Sequence, residues 1–75
     1  MRYEIEFFRY AGSADRTEVV RRHSGDFNNL DAAKAYGLGN TGAKDSPEEV
    51  DGFWVSQNGV VKSETIIKPP GTRNA

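Results

Sequence analysis

Cysteine is absent from this chain of 75 residues, which also has only one histidine, one tryptophan and three prolines. Without cysteine there is no disulfide and no thiolate ligand for a metal ion. The single histidine, His23, lacks the histidine or cysteine partners that a metal site within one chain would need. We therefore predict no metal site, and we expect His23 to end a strand at the surface. A small domain without such cross-links must gain stability from packing or from self-association, which is consistent with a homodimer.

Long apolar runs and a strong net charge are absent as well. No stretch approaches the roughly 20 apolar residues that span a bilayer, and Glu4 and Glu6 interrupt any apolar signal region after Met1. We therefore expect a cytoplasmic protein with no membrane partner. The formal net charge is −1, and a chain with so little charge imbalance is not kept expanded by repulsion. The apolar residues are grouped in segments, which favours an ordered domain.

The first 23 residues predict a β-hairpin. Residues 2–10 alternate apolar and polar side chains with a period of two, which is typical of a half-buried strand. Residues 16–23 contain Thr17, Val19 and Val20 and predict a second strand. The small and polar residues 11–15 between them are typical of a loop.

A loop of five residues would set the register of this hairpin. Its pairs are Tyr10 with Arg16, Phe7 with Val19, and Glu4 with Arg22. The same register places Arg21 beside Ile5, a charged side chain next to an apolar one. A bulge or a different loop length therefore remains an alternative.

A short helix is predicted after this hairpin. Ser24-Gly25-Asp26 should break the second strand. Asn28 or Asn29 can then cap a helix that begins near Leu30, because an asparagine side chain accepts a hydrogen bond from an unpaired backbone N–H group. Asp31 lies in the first turn, where the helix dipole favours a negative charge. One face is formed by Leu30, Ala33 and Tyr36, and the helix should end across Gly37, Gly39 and Gly42.

Residues 50–67 predict a second hairpin, because two runs rich in aromatic and β-branched residues flank Asn58-Gly59. A three-residue loop at 57–59, with Gly59 in the left-handed bulge position, pairs Trp54 with Lys62. Trp54 then lies on the sheet face opposite the helix, beside Lys62 and Glu64. The residues expected on the face under the helix are Phe53, Val55, Val61, Thr65 and Ile67.

Two alternatives concern this hairpin. A two-residue turn sets Val55 against Lys62 and Phe53 against Glu64, which mixes charged and apolar side chains on both faces, so we favour the longer loop. In the other alternative Trp54 packs in the core, as large aromatic side chains usually do.

The elements follow the order β, β, α, β, β. We predict an α+β fold in which a four-stranded antiparallel sheet, built from two hairpins, has one helix packed on one face. Residues 1–68 form the single domain. With Tyr3-Glu4-Ile5 opening the chain, residues 30–36 as helix and Gly52-Phe53-Trp54-Val55 before Asn58-Gly59, the layout resembles that of small uncharacterised bacterial proteins. The resemblance rests on element order and implies no activity.

Candidate motifs for chemistry have simpler structural explanations. Residues 37–42 match G-x-G-x-x-G, but the match follows the predicted helix instead of opening one after a strand, so helix termination explains its glycines. Glu4 and Glu6 lie about 7 Å apart on one strand face, yet exposed carboxylates that face arginines are usually solvated or paired. We predict no catalytic residue and no cofactor, and we expect a protein that is not an enzyme.

Two surfaces are candidates for binding. The first consists of Trp54, Lys62 and Glu64, because tryptophan supplies a large apolar contact area at little entropic cost. It predicts a non-enzymatic interaction module that self-associates or binds a protein through its sheet.

The alternative is weak nucleic-acid binding by the first hairpin, in which basic and aromatic residues are interleaved. Its contact residues would be Arg9, Arg16, Arg22 and Tyr10. The first 23 residues contain five arginines but also four acidic residues. This balance leaves little charge for binding phosphates, so we place this function second.

The C-terminal segment 69–75 is predicted to be disordered and dispensable, since Pro69 and Pro70 end the hydrogen bonding of a strand and no apolar anchor follows. Deleting Gly71 to Ala75 should leave the thermal unfolding midpoint unchanged within experimental scatter. A drop of several degrees, measured by circular dichroism, would mean that this segment packs on the domain.

Overall fold

The computed structural model describes residues 1–11, 16–43 and 46–68, and the predicted tail at 69–75 lies outside them. The elements are β1 (Arg2–Tyr10), β2 (Thr17–Asp26), α1 (Leu30–Leu38), β3 (Gly52–Gln57) and β4 (Val60–Ile66). All neighbouring strands are antiparallel, in the order β2-β1-β3-β4. The helix lies against the two central strands, β1 and β3. The predicted α+β fold and its β-β-α-β-β order are confirmed.

The predicted register of the first hairpin is wrong. Phe8 lies opposite Val19, and Phe7 lies opposite Arg21. A β-bulge separates these two pairs, with Val20 as the extra residue of β2. Because a bulge leaves one residue outside the ladder, it turns Val20 toward the main core while Val19 lies on the other face.

The remaining pairs of this hairpin shift accordingly. Tyr10 pairs with Thr17, and Arg22 pairs with Glu6 instead of Glu4. The expected contact between Arg21 and Ile5 does not form, since Ile5 lies opposite His23. The bulge thus moves Arg21 from Ile5 to another apolar residue, Phe7.

Arg21 is nevertheless on the helix side of the sheet, where its surroundings accommodate the charge. Its guanidinium lies over the Phe7 ring, 4.6 Å from the centroid, a distance at which a cation is attracted to an aromatic face. One terminal nitrogen donates to the backbone oxygens of Asn40 at 2.9 Å and Glu48 at 3.0 Å. Arg21 therefore joins β2 to the segment that follows the helix.

Strand β2 is longer than predicted, because Ser24-Gly25-Asp26 continues the strand instead of breaking it. These residues pair with the beginning of β1. Beyond them, the amino group of Met1 donates to the Phe27 oxygen at 2.9 Å, and the Phe27 N–H donates to the Met1 oxygen at 2.8 Å. Long-range pairing with β1 supplies the hydrogen bonds that keep this polar, glycine-containing segment extended.

The three-residue loop predicted for the second hairpin is also wrong. Asn58 and Gly59 form a two-residue turn with φ angles of 53° and 80°, and Gln57 pairs with Val60. Positive φ at both central residues is the requirement of a type I′ turn, which asparagine and glycine tolerate best.

A second bulge, in β4, changes the register that this tight turn would impose. Lys62 is the extra residue, so Val55 lies opposite Ser63 and Trp54 lies opposite Glu64. The predicted pairing of Trp54 with Lys62 is therefore wrong. The mixing of charged and apolar side chains that counted against a two-residue turn does not arise either.

The apolar face predicted under the helix is confirmed in part. Phe53 and Val55 are fully buried, and Thr65 is half-buried opposite Phe53. Val61 instead lies opposite Ser56 on the other face and is 57% exposed. Ile67, which follows β4, is exposed as well.

The helix begins as predicted. The Asn29 side chain accepts a hydrogen bond from the Ala32 N–H at 2.8 Å and so caps the first turn. The predicted helix face is confirmed, since Ala33 is fully buried and Leu30 and Tyr36 pack against the core. The core between helix and sheet consists of Tyr3, Ile5, Phe7, Ala33, Val50, Phe53 and Val55.

Asp51 ties the ends of three strands together although only 1% of it is exposed. Its N–H donates to the Phe8 oxygen at 2.8 Å, and its Oδ2 accepts the Tyr10 N–H at 2.9 Å. Its carbonyl oxygen accepts the N–H groups of Ile67 at 2.8 Å and Lys68 at 3.0 Å. A buried carboxylate is tolerated only when it is well bonded, so these contacts explain how Asp51 can lie inside.

Gly37 lies within the helix, and we predict that it cannot be enlarged. A Cβ at Gly37 would lie 2.5 Å from a ring carbon of Phe53, whereas the nearest atom to a Cβ at Gly39, the helix cap, is 3.6 Å away. Gly37→Ala should therefore lower the free energy of unfolding by about 1–3 kcal/mol, as overpacking does.

Gly39→Ala is the matched control, because its φ of −77° suits alanine. This variant should unfold at the wild-type urea concentration or above it. Equal midpoints for both variants would show that Phe53 moves aside freely.

Candidate interaction surface

The side of the sheet that faces away from α1, which we call the uncovered face, carries its side chains in rows. Directly opposed residues of antiparallel strands point to the same face, so strand pairing defines each row. In the strand order β2, β1, β3, β4, the apolar row is Val19, Phe8, Gly52 and Ile66, the charged row is Arg22, Glu6, Trp54 and Glu64, and the polar row is Ser24, Glu4, Ser56 and Val61.

An aromatic cluster occupies the centre of the uncovered face. Phe8 is only 1% exposed, because Trp54 stacks on it with ring centroids 4.4 Å apart and Tyr10 meets it edge-on at 5.8 Å. Gly52 leaves space for the ring, since a Cβ there would lie 2.6 Å from Phe8 Cζ. The sheet thus has a second, small apolar layer on the side away from the helix.

Hydrogen bonds order the charged row. Arg22 Nε donates to Glu6 Oε2 at 2.7 Å, and Trp54 Nε1 donates to Glu64 Oε2 at 2.6 Å. The Arg22 side chain is 67% exposed, so this ion pair contributes at most about 1 kcal/mol to stability. The ion pair mainly fixes the positions of the Arg22 and Glu6 side chains. The indole ring is held by stacking on its face and by a hydrogen bond at its edge.

Two of the three predicted contact residues, Trp54 and Glu64, lie in contact with each other. Trp54 is half-buried on the uncovered face and stands outside the main core. Lys62 is exposed but belongs to the β4 bulge, so it lies beside the charged row instead of opposite Trp54.

The four residues predicted for nucleic-acid contact do not share one surface. Tyr10 and Arg22 belong to the uncovered face, whereas Arg9 points to the helix side and donates to the backbone oxygen of Glu49 at 2.7 Å. Arg16 is exposed and directly precedes β2. The charged row also places carboxylates next to Arg22, and these oppose the binding of phosphates.

The predicted contact residues include none of the exposed apolar residues of the uncovered face. Val19 is 38% exposed, Ile66 is 42% exposed and Val61 is 57% exposed. The registers expected from the sequence place Val19 and Val61 in the core. Val61 lies on this face because the two-residue turn pairs it with Ser56, and Val19 does so because the β2 bulge separates it from Arg21.

His23 and the pair of Lys68 with Glu49 make contacts within the fold. His23 is half-buried within β2 and does not end a strand at the surface as expected. Its ring stacks on Tyr36 with centroids 4.4 Å apart. Lys68 Nζ bonds to Glu49 Oε2 at 2.6 Å. Across residues 1–11, 16–43 and 46–68, no three His, Cys, Asp or Glu side chains are grouped so that they could hold a metal ion.

An open concavity of about 420 Å³ lies where the polar row meets the turn at Asn58 and Gly59. Arg2, Glu4 and Ser24 are among its lining residues. The lining offers hydrogen-bonding groups but little apolar area to hold a ligand.

In the part of the chain that the structure describes, no helix has the length and apolar character needed to cross a membrane.

The Tyr10 phenol provides a pH-dependent test of the aromatic cluster. Burial raises the pKa of Tyr10 above its ordinary value of 10.0, and the negative charges of Glu64 and Asp51 raise this pKa further. A group with a raised pKa in the folded state contributes its full stability below the unfolded pKa, and this contribution is lost as the pH rises through the folded pKa.

Tyr10→Phe should therefore match the wild type near pH 8 in its urea midpoint and lose less stability above pH 10. Unfolding curves recorded from roughly pH 8 to 11.5, which brackets tyrosine ionisation, provide the measurement. Parallel losses in the two proteins would show that Tyr10 ionises without cost to the fold.

No family model, no curated protein and no solved structure matches the chain. The β-β-α-β-β layout is therefore the part of the expected resemblance that the structure supports, and no match relates the chain to bacterial proteins.

Proposed function

We propose that this chain is a non-enzymatic interaction module that binds a protein through the uncovered face of its sheet. The observation that carries the proposal is the position of Trp54, which is half-buried, outside the main core, and held by Phe8 and Glu64. A tryptophan in such a position has a large apolar surface that a partner can cover.

Preorganisation of the indole supports this function. Binding normally costs the entropy of ordering flexible side chains at the interface. The stack on Phe8 and the hydrogen bond to Glu64 already restrict Trp54, so a partner has less disorder to remove. Tryptophan is also among the residues most often found to dominate binding energy.

The surroundings of Trp54 fit an interface as well. Val19, Ile66 and Val61 add exposed apolar side chains to the same face. Arg22, Glu6 and Glu64 supply charged groups beside them. An apolar centre accompanied by polar groups that fix orientation is the usual composition of a specific protein contact.

Trp54→Ala should weaken the binding of a protein partner while leaving the chain folded. Removing a half-buried ring from the uncovered face should lower the free energy of unfolding by less than the roughly 3–5 kcal/mol that accompanies loss of a core aromatic. Phe53→Ala is the control, because Phe53 is the neighbouring aromatic residue and is fully buried under the helix. Urea unfolding of both variants measures the contrast.

If Trp54→Ala destabilised the chain as much as Phe53→Ala, Trp54 would act as a core residue and the proposal would lose its basis.

The alternative function, nucleic-acid binding, predicts a different experimental result. It would shift the amide resonances of β1 and β2 when short single-stranded DNA is added, and salt would weaken the effect.

A further inference from the structure

We propose that the uncovered face binds a second copy of this chain, with the two sheets packed face to face around a two-fold axis that runs along the strands between β1 and β3. This inference rests on the proposed function, since it names the partner of the same face. Three properties of the rows support it, namely their symmetry, their charge and their apolar residues.

The strand order gives the face a natural centre line. Two strands lie on each side of the line between β1 and β3. A rotation of 180° about this line places β2 over β4 of the second copy and β1 over β3 of the second copy. Each row then faces the same row in reverse order, as an interface between identical patches requires.

This arrangement makes the charged row self-complementary. Arg22 at one end faces Glu64 of the second copy, and the symmetry repeats the pair at the other end. Arg22 uses Nε for Glu6, and a guanidinium has further N–H donors for a second carboxylate. Glu64 accepts the indole N–H through Oε2, so its other oxygen can accept from Arg22 of the second copy.

The apolar row is self-complementary in the same way. Val19 faces Ile66 of the second copy, again twice, and these side chains are 38% and 42% exposed in the single chain. Between them lies the aromatic cluster, where Trp54 approaches β1 of the second copy. The carboxylate of Glu6, which also lies there, is drawn toward Arg22 by their hydrogen bond. Burying these apolar groups favours association.

A second symmetric arrangement is opposed by charge. A two-fold axis across the strands, along the charged row, would set each strand over its own copy. Arg22 would then face Arg22, Glu6 would face Glu6 and Glu64 would face Glu64. Like charges directly opposed at an interface disfavour association, so the row favours the axis along the strands over this one.

The size of the face predicts a weak dimer. Four strands at a spacing of about 4.8 Å, over the six residues of β3 at about 3.3 Å each, give a flat area of about 19 by 20 Å. Counting both copies and the relief of the side chains, the buried surface reaches about 1,000 Å², the lower limit for a specific interface. Dimerisation should therefore depend on concentration within the micromolar to millimolar range.

Charge reversal tests the pairing directly. Arg22→Glu and Glu64→Arg should each weaken dimerisation roughly tenfold or more, because each variant alone opposes like charges twice. An equal mixture of the two variants should dimerise again, since the mixed pair contains one reversed and one native ion pair. Sedimentation velocity from roughly 10 µM to 1 mM, which spans weak affinities, measures all of these proteins.

Two controls separate this pairing from a change in net charge. Arg16→Glu and Glu48→Arg make the same charge changes at exposed residues outside the rows, and they should dimerise like the wild type. Circular dichroism checks that every variant is folded.

A second measurement does not depend on charge. The chain has no cysteine, so Val19→Cys and Ile66→Cys introduce unique thiols. A bismaleimide of about 10 Å, the usual distance between packed sheets, should link the two variants when they are mixed. It should not link Val19→Cys to itself.

The outcomes are distinct. A wild type that stays monomeric at every concentration overturns the second copy as partner. The Trp54→Ala and Phe53→Ala contrast separately tests the premise of the proposed function, which is that Trp54 is not a core residue. A different outcome is a wild type that dimerises while the charge-reversed mixture stays monomeric and the cysteine variants fail to link. This result would overturn the proposed axis.

Discussion

The arrangement of the whole sheet depends on the hydrogen bonds of one buried residue, Asp51. Its backbone and carboxylate bind the end of β1, and its carbonyl oxygen binds the chain just after β4. A carboxylate that is only 1% exposed would be costly without such partners. Because Asp51 directly precedes Gly52, these bonds also set the position at which β3 begins. The ring of Phe8 can then lie over the one residue of β3 that has no side chain.

The two faces of the sheet carry different apolar layers. Phe7 points toward the helix and packs against Phe53 with ring centroids 5.8 Å apart. Phe8, the next residue, points the opposite way and is covered by Trp54. Adjacent aromatic residues in one strand therefore support two apolar layers, one beneath a helix and one that ends at solvent. The second layer places the half-buried Trp54 ring at the surface of the uncovered face.

Local signals in the sequence sufficed where local interactions decide the structure. The helix start follows from Asn29, whose cap involves residues three apart, and the side of Trp54 follows from the alternation within β3. Pairing between strands was harder to predict, because it depends on bulges at Val20 and Lys62 whose cost is offset by packing elsewhere in the fold. Residues 24–26 illustrate the same limit, since their turn-like composition is overridden by pairing with β1.

Both bulges lie in the outer strands of the sheet, β2 and β4. An outer strand has one side whose backbone groups are not paired within the sheet, and a straight outer strand is a template for adding further strands from other molecules. A bulge interrupts that template, and the charge of Lys62 in β4 makes the addition of another strand still less favourable. Edge-to-edge growth into aggregates is thereby discouraged at both ends of the sheet. A protein that exposes apolar side chains can remain dispersed when its irregular edges restrict contact to a face of limited size.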